Sequence, residues 1–200
     1  MATFAQSFKI VSPTLGSGVQ GPIPTDFRTS EGALASSKSA QSIDATSTVQ
    51  NYPLGTRVKA VDPVLGEAEF VYLTGVASTV AGDAVTFKGD FTTVRDNGVN
   101  SKGPLAIAMS ACVASNYGWY CVKGRCLVNI AGDVTALPAY LVDATAGVVD
   151  DAIVASNHVT NACLALGLAA GGSAIVGTAD TTPANKAVIL INDPYVVLAV

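Results

Sequence analysis

The order of apolar and polar positions divides the chain in two. Over residues 1–50, few large aliphatics recur with a period of 2 or 3.6. Pro13, Pro22 and Pro24, a glycine-rich piece (Gly16, Gly18, Gly21) and the Ser/Ala/Thr run at 33–48 leave no continuous apolar face. Such a stretch cannot bury enough apolar area to offset its own ordering entropy. It is expected to form an extended or partly disordered N-terminal arm, with 30–42 the one place for a short helix. From Asn51 onward the pattern turns to β. Residues 57–62 read as a strand closed by a turn at 62–66. Residues 67–73 begin by alternating charged and apolar positions, with Ala68, Phe70 and Tyr72 on one face. Short apolar strands follow at 83–88, 105–109, 117–122, 125–130, 139–142, 148–154, 163–168, 174–176 and 187–191. Asp96-Asn97-Gly98, Gly118, Gly124, Gly132, Pro138 and 143–147 punctuate them. Strands every 8–12 residues with Gly, Asp and Pro between them indicate an all-β fold, a small barrel or sandwich over 51–200. A short helix near 153–166 is the competing reading.

Composition adds a constraint on the surface. Half of the residues are hydrophobic and 13% are charged, about half the ~25% usual for soluble domains. With so few charges to coat a lone molecule, the expectation is that other protein covers part of it. The arm has the length for this: stretched out, it reaches on the order of 165 Å. Phe4, Phe8, Ile10 and Phe27 are its natural anchors, each gaining ~1.5–3 kcal/mol if buried in a partner. The alternative is a loose tail. Net charge is −4 with no basic cluster, which disfavours nucleic-acid and anionic-membrane partners. The first residues lack the pattern of a secretory signal, and the apolar runs fall far short of the ~20 residues of a membrane span. A soluble protein made in a cytoplasm is expected.

The residues that carry chemistry are sparse. Cys112, Cys121, Cys126 and Cys163 lack the C-x-x-C spacing of zinc sites and read first as small buried hydrophobes. One pair invites a sharper reading. If Lys123-Gly124 is the tip of a two-residue hairpin, Cys121 faces Cys126 at a separation near the lower edge of the disulfide range, although a cytoplasmic origin argues against a bond. The single histidine, His158, stands near Ser156, Asp150 and Asp151, but no nucleophile elbow accompanies it, and it reads as a turn or interface residue. Asp133, Asp143, Asp150 and Asp151 do not follow a calcium-loop pattern. Gly16-Ser17-Gly18 and Gly171-Gly172-Ser173 lack the lysine of a phosphate loop. Tyr117, Trp119 and Tyr120 form the one aromatic cluster. Exposed, they would stack sugars or bases; buried, they would pack a sheet end or a subunit boundary. No enzyme signature emerges and no cofactor or metal is implied.

The run from Asn51 through Asp62, continuing as Glu67-Ala-Glu-Phe-Val-Tyr-Leu73, resembles proteins encoded beside major capsid genes in tailed bacteriophages. So do Ala108-Met-Ser-Ala111 with Tyr117-Gly-Trp-Tyr120, and Asp143-Ala-Thr-Ala-Gly-Val-Val-Asp-Asp151. Those proteins are similar to head-decoration, or capsid cement, proteins. The resemblance covers roughly 51–192. It implies a small β-barrel or β-tulip-like domain, usually a homotrimer, bound to the major capsid protein between capsomers on the outside of a virion. It implies no catalysis and no cofactor. Phe4, Phe8, Ile10, Phe27, Tyr117, Trp119 and Tyr120 are then the candidates for capsid or subunit contact. Removal of residues 1–50 is expected to leave a folded domain. Two other readings stay open: a tail, fibre or baseplate β-protein, and a carbohydrate-binding β-sandwich that uses Trp119 and Tyr120.

Overall fold

Alternation at the start of the β region produces the first long strand. In β3 (Arg57–Asp62), Val58, Ala60 and Asp62 are buried while Arg57 and Lys59 face solvent. The turn that follows is built by Asp62, whose Oδ1 accepts the backbone N–H of Val64 at 2.8 Å and of Leu65 at 2.9 Å. Gly66 closes it at φ +86°, a conformation that glycine reaches without steric cost. β4 (Gly66–Thr74) therefore returns antiparallel, placing Phe70 opposite Val58 and Ala68 opposite Ala60.

The computed structural model describes residues 9–12, 41–95, 102–131, 140–141, 145–150, 158–164 and 185–197. Among these residues every helix or strand element is a strand, and the strands form one antiparallel sheet curled into a half-barrel. β8 (Tyr117–Asn129) lies beside β4, and beyond it come β7 (Gly103–Ala108) and β12 (Lys186–Val197). β11 (His158–Leu164), β9 (Tyr140–Leu141) and β10 (Val149–Asp150) complete that side. β1 (Lys9–Ser12) is added outside β3, β5 (Ala84–Phe87) and β6 (Thr93–Arg95) extend from β7, and β2 (Thr46–Ser47) pairs with the start of β8. The all-β expectation is met.

The middle of the sheet is buried on both faces, which explains its nearly unbroken apolar runs. Phe70, Tyr72, Leu105, Ile107, Trp119 and Cys121 pack on one face with Ile43, Val188 and Val196. Their neighbours Val71, Leu73, Ala106, Ala108, Tyr120 and Val122 pack on the other with Val85 and Cys112. Phe87 and Phe91 close over this second layer.

Three expectations need correction. The two strands read at 117–122 and 125–130 are the single 13-residue strand β8, so Lys123-Gly124 is no hairpin tip and the facing-pair geometry for Cys121 and Cys126 does not arise. β4 pairs with β8 through Lys123 and β12 pairs with it from Lys123 onward, on the opposite edge. Val122 is a bulge between the pairs Glu69–Lys123 and Phe70–Cys121, and Gly124 sits at φ +104°. The strand bends there rather than reversing. Second, the arm ends earlier than residue 50: Gln41 and Ile43 are buried in the domain and β2 is part of the sheet. Third, His158 opens a strand and not a turn, and 158–164 is strand where a short helix was the competing reading. In the arm, expected to be extended or partly disordered, residues 9–12 are extended and pair along β3. The strand read at 174–176, the turn at 96–98 and nearly all of the possible helix at 30–42 lie outside the described residues.

Candidate functional site

One end of the half-barrel is organised by a glutamine that sequence reading had placed in the arm. Gln41 Oε1 accepts the Tyr72 hydroxyl at 2.7 Å and Asn51 Nδ2 at 3.1 Å. Its Nε2 donates to the carbonyls of Ala45 and Tyr117, both at 2.8 Å. Its own carbonyl accepts Trp119 Nε1 at 3.1 Å. The segment 41–52 is thereby fastened across β4 and β8. Tyr52 closes over the same place, with its ring centroid 5.2 Å from Tyr72 and 5.1 Å from Trp119. Burial pushes the Tyr72 phenol up to about 12, because a phenolate there would lose water and gain no cation.

Around this anchor the chain carries no charge. Residues 45–56, 70–82 and 103–122 contain no Asp, Glu, Lys or Arg. Their loops converge on the start of β8: the Gly75 N–H donates to the Asn116 carbonyl at 2.7 Å and the Val76 N–H to Cys112 at 3.2 Å. β2 lies against Tyr117 and Gly118. Val49, Val80 and Val113, on these same loops, are 58%, 47% and 39% exposed. Charge comes to the margin with Asp44, with Lys88 and Asp90 on the β5–β6 turn, and with Arg95 and Lys186, which bond Asp83 and the Ala81 carbonyl beside Val80. The ionic side chains gather toward the other end of the same strands. Arg57 pairs with Glu69 at 3.0 Å and with Asp193 at 2.9 Å, and Lys59 pairs with Glu67 at 3.1 Å. A groove of about 440 Å³ opens there, lined by Lys59, Glu67, Glu69, Lys123 and Leu190 beside the bend at Gly124. The sheet therefore has an uncharged pole with protruding valines and an ionic one.

The residues singled out from sequence are distributed unevenly over this arrangement. Trp119 and Tyr120 are fully buried, on opposite faces of β8. Neither offers surface to a capsid or a sugar, and both act by packing. Tyr117 is half-buried at the uncharged pole, its ring stacked 6.4 Å from Tyr72. Ile10 is at the register position opposite Ala60. Phe4, Phe8 and Phe27 lie outside the described residues. His158 pairs with Val197 and Tyr140 in the sheet, while Ser156 and Asp151 fall outside the described residues. All four cysteines are free thiols. The Cys126 thiol is pushed up by its contact with Cys121 and by burial, and burial raises Cys112. Thiols held protonated in this way are poor nucleophiles.

Asp83 is the one fully buried carboxylate among the described residues. It accepts Arg95 Nε at 2.6 Å, Asn129 Nδ2 at 2.8 Å and the Val80 N–H at 2.9 Å. Lys186 Nζ donates to the neighbouring Ala81 carbonyl at 2.5 Å, and burial draws its pKa down. With its oxygens taken by three donors, Asp83 ties the 79–83 loop to β6 and β8. Among the described residues no group of three or more His, Cys, Asp or Glu side chains is placed to hold a metal ion, and no helix is long and apolar enough to cross a membrane. No protein-family model, curated protein or solved structure matches the chain.

The pole escaped sequence reading because its three charge-free segments are far apart in the chain. Their lack of charge was visible; their convergence was set by the pairing of β8 with β2, β4 and β7.

Proposed function

We propose that this chain is a non-enzymatic structural protein of a virion, a decoration protein that docks on the outside of a tailed-phage head and stabilises the shell. One observation carries the reading: the charge-poor pole, where Val49 and Val113 stand exposed on loops without an ionic side chain and Val80 on a loop whose one ionic side chain, Asp83, is buried. Covering such a surface with protein releases water from apolar area and strands no charge, whereas the ionic end would have to be desolvated. Charge is depleted and apolar area concentrated at the centre of protein interfaces, with polar groups at the rim, and Asp44, Lys88 and Asp90 fit that rim. The sequence resemblance supplies the kind of partner, the major capsid protein, and the homotrimer. An assembly that repeats one modest contact over a shell gains stability from repetition rather than from any single interface. The carbohydrate reading loses its platform with the burial of Trp119 and Tyr120.

The test is co-sedimentation with expanded phage heads lacking their decoration protein, comparing the intact chain with Val49→Asp, Val80→Asp and Val113→Asp. These side chains are exposed, so the variants fold. At least one is expected to lower attachment by about tenfold or more, the effect of burying an unpaired carboxylate. Wild-type attachment by all three variants, or no attachment of the intact chain to any head, would refute the proposal.

A further inference from the structure

β1 points to the way copies are linked. It is a four-residue strand laid antiparallel along β3, with Lys9 opposite Val61, Ile10 opposite Ala60 and Ser12 opposite Lys59. Without it β3 would be a bare edge, since β4 occupies its other side. Pro13 follows directly in the sequence, and proline has no N–H to contribute to a ladder.

The chain joining β1 to the domain is far longer than a return within one molecule requires. Ser12 lies beside Lys59, and the next described residue, Gln41, is bonded to Tyr117 and Tyr72. Counting strand spacings and rises across β3, β4 and β8, that gap is about 25 Å, the span of roughly eight extended residues. Residues 13–40 supply 28, and 28 residues extend to about 90 Å. Nothing in the length ties β1 to its own β3. A second copy presents the identical edge, so an exchanged strand makes every contact of the closed form and loses none. Once copies are held side by side, the neighbour's edge is at an effective concentration of the millimolar order, comparable with the chain's own.

We propose that β1 is exchanged between copies: Lys9–Ser12 of one chain completes the β3 edge of another, so that the arm fastens decoration subunits to each other. The inference rests on the assembly reading above for its setting, but its test uses free protein and needs no capsid.

The experiment uses two full-length variants mixed in equal amounts, Lys9→Cys in one and Val61→Cys in the other, each also carrying Cys163→Ser so that the remaining native thiols are buried. Opposed residues on antiparallel strands are ~4.5–5.5 Å apart at Cα, within disulfide range. A disulfide between unlike chains forms faster than by chance collision when the strand of one copy lies on the edge of the other. Oxidation with glutathione disulfide at about 1 mM protein is expected to give mixed dimers about tenfold faster than Lys9→Cys mixed with Thr92→Cys, a chance-collision control. The pair Ser12→Cys with Lys59→Cys repeats the measurement at a second register position. Mixed dimers no faster than the control in both pairs would overturn the exchange. So would the double variant Lys9→Cys/Val61→Cys closing only within its own chain at that concentration. Failure to bind phage heads would instead count against the capsid reading and leave this result standing.

Discussion

Gly124→Ala tests the idea that one bend in β8 determines how the sheet curls. Two separate costs meet at this position. Its φ of +104° lies where a Cβ is disfavoured, and that conformational term is roughly 1–2 kcal/mol. A Cβ built there would also lie 2.7 Å from the Glu67 carbonyl oxygen and 2.8 Å from Ala68 Cα. Those atoms are backbone of the adjacent strand and cannot swing aside, so relief requires β4 and β8 to separate, at about 1–3 kcal/mol. The sum is about 2–5 kcal/mol, a large part of a total stability of ~5–15 kcal/mol. Two other glycines divide the terms. Gly66 has φ +86° with nothing within 4 Å of its would-be Cβ, and Gly89 also has open space and no positive φ. Urea unfolding followed by tryptophan fluorescence, which reports on the buried Trp119, is expected to rank the alanine variants Gly89, Gly66, Gly124 in order of increasing loss. Gly66→Ala should cost about 1–2 kcal/mol and Gly89→Ala less than about 0.5 kcal/mol. If Gly124→Ala unfolds at the same urea concentration as Gly66→Ala, the close approach of the strands is not holding the bend and the reasoning fails.

Gln41→Ala removes the partner of the Tyr72 hydroxyl and of the Tyr117 carbonyl; a loss of about 2–4 kcal/mol is expected in the same unfolding assay, because buried polar groups are left unsatisfied. Tyr120→Phe should be neutral or stabilising by up to about 1 kcal/mol, since that hydroxyl is buried beside Cys112 and Thr93 without a well-aligned hydrogen bond; a loss above that size would show a bond worth keeping. The Tyr72 phenol, raised by burial to about 12, gives a pH dependence with a defined sign. Below pH 10 both folded and unfolded forms are protonated and its contribution is complete. Between 10 and 12 the unfolded chain releases this proton while the folded one keeps it, so stability falls as pH rises. Urea unfolding at a series of pH values checks this: Tyr72→Phe should flatten the decline in stability above pH 10.

The long strands were legible because their alternation is local. β3, β4 and β5 fall within a residue or two of where the pattern puts them, and the Asp62–Gly66 turn contains its own chemistry. β1, β2 and β6 span two to four residues, too few to display a period, and their existence depends on the edge that receives them. Lys123-Gly124 illustrates a different limit. A glycine between two apolar runs reads alike whether its positive φ turns a hairpin or bends a continuous strand. Only the presence of β4 on one edge and β12 on the other decides, and both are distant in the chain. Gln41 was missed because a polar residue in a weakly patterned segment gives no sign that five partners, up to 78 positions away, converge on it. The aromatic cluster was found, but sequence did not separate the faces: Trp119 and Tyr120, adjacent in the chain, enter different layers.

The bend also explains how one small sheet keeps two unlike ends. β8 would extend about 43 Å if straight. Its first six residues, Tyr117 to Val122, carry no charge and are sandwiched between packed layers. Lys123 and Arg125 then appear at the point where the strand changes partners. Curling at Gly124 brings Lys123 and Arg125 to water between two buried stretches of the strand, Gly118–Val122 and Cys126–Val128, so the valines of the pole are displayed on a scaffold whose stability is set elsewhere. Attachment and stability should therefore be separable. Val113→Asp acts at the pole and Gly124→Ala at the bend, with no shared partner, and their effects on unfolding should add within about 0.5 kcal/mol. The attachment defect should come from Val113→Asp alone. A coupling above about 1 kcal/mol in the double variant would mean that the pole and the bend are one cooperative unit, and that the exposed valines hold the fold together rather than serving a partner.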